Sequence, residues 1–186
     1  MMRNVHFQFL WAVMVAVMIG GCATVARDAS KDLIYNSTQE SLVIGRLVLD
    51  FRSTPIGFID RLQTQRLFVT NVSTGRRYKI ACESGGRDAR FVVTLPPGDY
   101  TTTSWTKYGY TFYPKMNFSV STGDATYIGT MKWIRMEESL KMFLGAALGS
   151  IPGQLVIEDD IEKELKELEG RNPGIGEHVV KSLMHK

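Results

Sequence analysis

The hydrophobic pattern of this chain changes character several times, and each change predicts a different kind of structure. From Phe7 to Ile19 the residues are apolar apart from Gln8, whereas Ala23 to about Gln39 is small or polar with little period. The second stretch reads as a tether. A period of two then sets in: Leu47, Leu49 and Phe51 alternate with Arg46, Val48 and Asp50, predicting a strand over Leu42–Phe51. Arg66–Asn71 and Arg77–Cys82 follow as two more strands, joined by Ser73-Thr74-Gly75, whose glycine accepts the positive φ of a hairpin.

Phe91, Val93 and Leu95 share one side of the strand Arg90–Leu95. Leu95-Pro96-Pro97-Gly98-Asp99-Tyr100 then breaks the ladder, because proline donates no hydrogen bond, and an aromatic residue opens the next strand, Tyr100–Trp105. Lys115–Val120, the Gly123-Asp124 turn and Ala125–Trp133 continue the series. About seven or eight short strands separated by turns imply a mainly β chain built as a single sandwich or barrel, and the sandwich is the expectation.

Beyond the strands the period lengthens. Met136–Gly153 is an apolar insertion, too short for a bilayer span of about 20 residues, and it is expected to fold against the sandwich. Gln154–Glu158 returns as a strand. Ile161, Leu165 and Leu168 fall on one helical stripe within Asp159–Glu169, with Asp159 and Asp160 at its start and Gly170 as C-cap. Ile175, Val179 and Leu183 repeat the spacing more weakly, so one or two C-terminal helices are expected. Glu162, Glu164 and Glu167 read as a solvated helix face.

Arg3 ahead of the first apolar run, and small residues after it, give that run the form of an export signal over residues 1–21. The expected organisation is therefore that signal, a segment at 22–40 carrying the anchor and tether, a β-sandwich at 41–158 with the insertion near 136–153, and a helical segment at 159–186. The chain has 186 residues, 44% hydrophobic and 22% charged, which suits one globular domain. A formal net charge of +3 is too small to imply nucleic-acid binding.

Two resemblances add to this reading. Ile19-Gly20-Gly21-Cys22 resembles the lipobox of bacterial lipoproteins, which implies cleavage before Cys22 and acylation of its thiol with chains such as palmitate. Ala23 in second position, where such lipoproteins carry Asp for inner-membrane retention, implies the outer membrane, facing the periplasm or the surface. Phe91-Val92-Val93-Thr94-Leu95-Pro96-Pro97-Gly98-Asp99-Tyr100, with Phe118-Ser119-Val120, Gly123-Asp124 and Tyr127-Ile128-Gly129, resembles small bacterial lipoproteins with a carboxypeptidase-regulatory-like, transthyretin-like β-sandwich. That resemblance covers Leu42 to Ile157 and implies a fold more than an activity.

Candidate chemistry is sparse. Cys22 and Cys82 are the two cysteines, and with Cys22 acylated Cys82 has no partner in the chain. Tyr78, Ile80 and Cys82 share a strand face, so Cys82 is expected as a buried apolar residue. His178 and His185 lie near the C-terminus, which disfavours a histidine-based triad or zinc site. Adjacent acids at Glu137-Glu138 and Asp159-Asp160 diverge in regular structure and make a poor glycosidase pair. Trp105, Tyr108, Tyr110, Phe112 and Tyr113 put five aromatics in nine residues beside Lys107 and Lys115, and Trp105, Tyr108 and Tyr110 are the candidate partner-binding residues.

The expected function is that of a non-enzymatic outer-membrane lipoprotein without metal or cofactor. It is anchored through Cys22 and binds or positions an envelope protein or glycan. The competing readings are a carbohydrate-binding module and an envelope-polymer hydrolase that uses carboxylates.

Overall fold

A computed structural model describes residues 23–28, 41–50, 64–82, 88–107, 110–135, 153–170 and 178–186. Its strands form two six-stranded sheets. In the first sheet β1 (Thr24–Val25), β5 (Arg77–Ala81), β4 (Arg66–Asn71), β7 (Gly98–Lys107) and β8 (Tyr110–Phe112) lie in that order, and β9 (Asn117–Val120) also pairs with β7. The second has the order β11 (Gly153–Glu158), β10 (Ala125–Arg135), β3 (Ser41–Asp50), β6 (Asp88–Leu95) and β2 (Arg27–Asp28), with β12 (Val179–Lys181) also on β10. The fold is mainly β, as the alternating pattern implies. Among the described residues the eight longer strands match the expected number, and β1, β2, β8 and β12 are two- or three-residue additions at the sheet edges.

The two sheets share one core. Leu47, Leu49, Phe91, Val93 and Leu95 from the second sheet meet Leu67, Val69, Ile80, Tyr100 and Phe118 from the first, all buried. Each such side chain stabilises the fold by roughly 1.5–3 kcal/mol when fully removed from water. The Pro-Pro-Gly corner carries the chain between the sheets, from β6 to β7. Neither proline could donate to a ladder there, and the Tyr100 hydroxyl donates back to the carbonyl of Pro96 at 2.7 Å, closing the corner. At the β4–β5 hairpin Gly75 has φ +67°, and the Asn71 side chain accepts from Ser73 Oγ, the Thr74 N–H and Thr74 Oγ1.

A helix makes the third layer. α1 (Ile161–Glu169) covers the outer face of the second sheet, where Leu42, Ile44, Val92, Ala125 and Tyr127 meet Leu168, with Ile161 packed alongside. The Asp160 N–H donates to the Tyr127 hydroxyl at 3.0 Å and ties the helix start to β10. Gly170 keeps a right-handed helical conformation instead of the left-handed one of a typical glycine cap.

Two expectations about the chain ends need correction. Over its described residues the proposed tether is paired chain: β1 pairs with β5, β2 pairs with β6, and Ala26 between them is buried in the inner core. The second C-terminal helix is replaced over its described part by β12, which runs parallel to β10. Residues 182–185 then bond first to β10 and finally to Asn117 of β9, placing Met184 in the core. Helical spacing at Val179 and Leu183 therefore came from two residues packed beside the helix layer, on extended chain. Each chain end thus crosses from one sheet to the other and closes a side of the sandwich. The apolar insertion at 136–152 lies outside the described residues.

Candidate functional site

Trp105 does not contribute to the surface expected of the aromatic segment. Trp105 is fully buried, its indole N–H donates to Gln65 Oε1 at 2.9 Å, and its ring lies 5.2 Å from that of Phe112. Phe112 in turn packs 4.8 Å from Trp133. The cause is a bulge in β7, where Thr102 and Ser104 face Val69 and Phe68 of β4 and leave Thr103 as an extra residue. Tyr100 and Trp105 have opposite parity along the strand, yet the bulge turns both into the core. Tyr108 lies outside the described residues, and of Tyr110 the backbone alone is described, paired with Lys107. Among the described side chains of this segment Tyr113 is exposed, at 63%.

The acidic helix also differs from expectation. Glu164 is completely buried, although Glu162 and Glu167 are exposed. Its Oε1 accepts from Arg46 Nη1 at 2.7 Å and its Oε2 accepts from Arg90 Nε at 2.6 Å. Arg46 also donates two bonds to Asp88, and Arg90 donates to Glu167. The bond to Asp88 raises the Arg46 pKa; for Arg90, burial opposes the charge but bonds to Glu167 and Glu164 outweigh it, and the bond from Arg90 holds Glu167 below the usual carboxylate range.

This arrangement braces the fold. Both Glu164 oxygens are taken by guanidinium groups, so the carboxylate is poorly placed to transfer a proton or attack a substrate. The sequence carried a usable sign of it. Glu164 lies three residues after Ile161 and four before Leu168, on the stripe that faces the sheet, while Arg46 and Arg90 share outer strand faces with Ile44 and Val92.

Cys82 is buried and free, next to Ile80 and Tyr78 in the same core, as the strand period implies. Burial pushes its thiol pKa strongly up, with a smaller opposing effect from the Lys107 charge, and both burial and protonation disfavour reactivity. Among the described residues no group of three His, Cys, Asp or Glu side chains is placed to hold a metal ion, and no helix is long and apolar enough to cross a membrane.

Cys22 lies outside the described residues, but its immediate successors are firmly placed. Thr24 stands opposite Tyr78 and Val25 opposite Lys79, and the Ala26 N–H donates to the Lys79 carbonyl at 2.9 Å. Arg76 at the end of the β4–β5 turn donates from Nε to Thr24 Oγ1 at 3.2 Å.

No family model matches the sequence, and no curated protein matches it at a significant level. Among solved structures, a leucine-rich repeat protein from Bacteroides thetaiotaomicron is similar over 61% of this chain at 15% identity, with a TM-score of 0.36. The match spans 16% of that protein's length, and a likeness this distant carries no argument about either fold or function.

Proposed function

We propose that the protein is an outer-membrane-anchored lipoprotein whose β-sandwich binds or positions another envelope component without catalysing a reaction. The carrying observation is the motif Ile19-Gly20-Gly21-Cys22 ahead of a domain that begins pairing at Thr24. Acylation of Cys22 would attach this sandwich directly to lipid. Holding it there raises the local concentration of any partner in the same membrane, so a weak contact becomes effective. The engagement of Glu164 by Arg46 and Arg90 supports a structural role for the one fully buried acid among the described residues. Burial of Trp105 removes one of the three rings, with Tyr108 and Tyr110, that a carbohydrate-binding platform would need.

The transthyretin-like relationship belongs to the same proposal. The Tyr100–Pro96 bond at the Pro-Pro-Gly corner and the late Tyr127-Ile128-Gly129 strand support it.

The test is mass spectrometry of the mature N-terminus together with membrane fractionation. An acylated cysteine at position 22 and recovery in outer membranes are expected for the natural chain, and Cys22→Ala should yield uncleaved or unacylated protein. Stable retention requires more than one acyl chain, because each buried CH₂ contributes only about 0.8 kcal/mol. Fatty acid attached to the Cys22→Ala variant would contradict the assignment.

A further inference from the structure

The short distance between the proposed anchor and the first strand restricts how the domain can sit on a membrane. Consecutive Cα atoms are about 3.8 Å apart, so residue 22 lies no more than about 7.6 Å from Thr24. Thr24 is already fixed opposite Tyr78, and β1 runs parallel to β5, which starts just after the 72–76 turn. The anchored residue therefore belongs to the end of the sandwich that bears this turn. The Pro-Pro-Gly corner is at the same end, since Asn71 faces Tyr100 and the Val72 N–H donates to Asp99 O at 2.8 Å. So is the 121–124 turn, because Gly98 faces Val120.

The chemistry of that end suits a lipid surface. Val72 at the turn tip is 63% exposed. Arg76 is exposed at the end of the same turn and is already in contact with Thr24, while the Arg77 guanidinium lies along the outer sheet face on Phe68 and Ser104. Among the described residues Asp99 and Asp124 lie at this end, with Asp28 opposite Val93 two residues inside it, and Asp99 accepts from Ser119 Oγ at 2.6 Å. An exposed aliphatic residue beside an arginine fits the boundary between acyl chains and anionic headgroups.

We infer that this end of the sandwich, led by Val72 and Arg76, rests on the phospholipid headgroups, while the opposite end, at Arg66 and Asp88, points away from the bilayer. The inference rests on acylation of Cys22. With β1 and β2 paired into both sheets, no slack remains for the domain to tumble on a tether.

The test uses the full acylated protein in vesicles of phosphatidylethanolamine and phosphatidylglycerol doped with a headgroup-nitroxide lipid. A fluorophore is placed on Val72→Cys or on Arg66→Cys, both exposed positions, while Cys82 is buried and the acylated Cys22 has no free thiol. The sites are six residues apart, about 20 Å along extended chain. Quenching several-fold stronger at position 72 is expected, and twelve Gly/Ser residues inserted between Cys22 and Ala23 should reduce that difference. Equal quenching in protein whose Cys22 is acylated would overturn the orientation and leave the anchoring intact. An unmodified Cys22 would overturn both.

Discussion

Arg46 and Arg90 stand directly opposite each other on neighbouring antiparallel strands, and the buried carboxylate of Glu164 accepts a hydrogen bond from each. Like charges in that register repel. The helix resolves the conflict by lowering one carboxylate between the two guanidinium groups, with Asp88 and Glu167 neutralising their outer sides. Helix α1 is therefore held to the sheet by two different means: the apolar contacts of Leu168 and Ile161, and a charge cluster at their border.

Removing the shared carboxylate should be far more damaging than removing its exposed neighbours. Glu164→Gln is expected to lose roughly 3–5 kcal/mol in urea denaturation, because two part-buried cations lose their common partner. Glu162→Gln, at an exposed position of the same helix, should stay within about 0.5 kcal/mol of the natural chain.

The aromatic segment should divide by burial. Trp105→Ala removes a fully buried ring and the indole donor to Gln65 Oε1, and a loss of about 3–5 kcal/mol is expected by thermal or chemical denaturation. Tyr113→Ala should leave stability within about 0.5 kcal/mol. If Tyr113 contacts an envelope partner, that variant will lower co-purification without lowering the melting temperature.

Acid should weaken the attachment of the helix region. The bond from Arg90 lowers the Glu167 pKa from its ordinary 4.5, and the bond from Lys181 lowers that of Asp159 from 3.8. A depressed carboxylate contributes its stabilisation in full above its unfolded value and loses it as pH falls through its folded value. Stability measured between pH 7 and pH 2 should thus decline below about pH 4.5, and Lys181→Met should remove part of the decline.

Cys82 should behave as a core atom. The native protein is expected to resist a bulky thiol reagent until it is unfolded, Cys82→Ala should cost about 1 kcal/mol, and Cys82→Asp should abolish cooperative folding by burying an unpaired charge.

The sequence by itself determined the features that depend on near neighbours. Alternation at Leu47 and Leu49, the Ser73-Thr74-Gly75 hairpin, the Pro-Pro-Gly corner and the Ile161–Leu168 stripe were legible because strand, turn and helix each impose a period or a φ preference within a few residues. Burial of Cys82 followed from the same period. Side-chain direction beyond a bulge did not. At Thr103 and again at Gly129, where φ is +96°, one extra residue reverses which parity faces the core, so Trp105 and Met131 both turn inward. The bulge exists only relative to a paired strand distant in sequence. The chain ends were misread for the same reason, since Thr24–Asp28 and Val179–Lys181 are too short to show a period and become strands by pairing with β5, β6 and β10. Glu164 needed the tertiary structure most, because its burial depends on two arginines, each more than seventy residues away in the chain, meeting across a ladder beneath it.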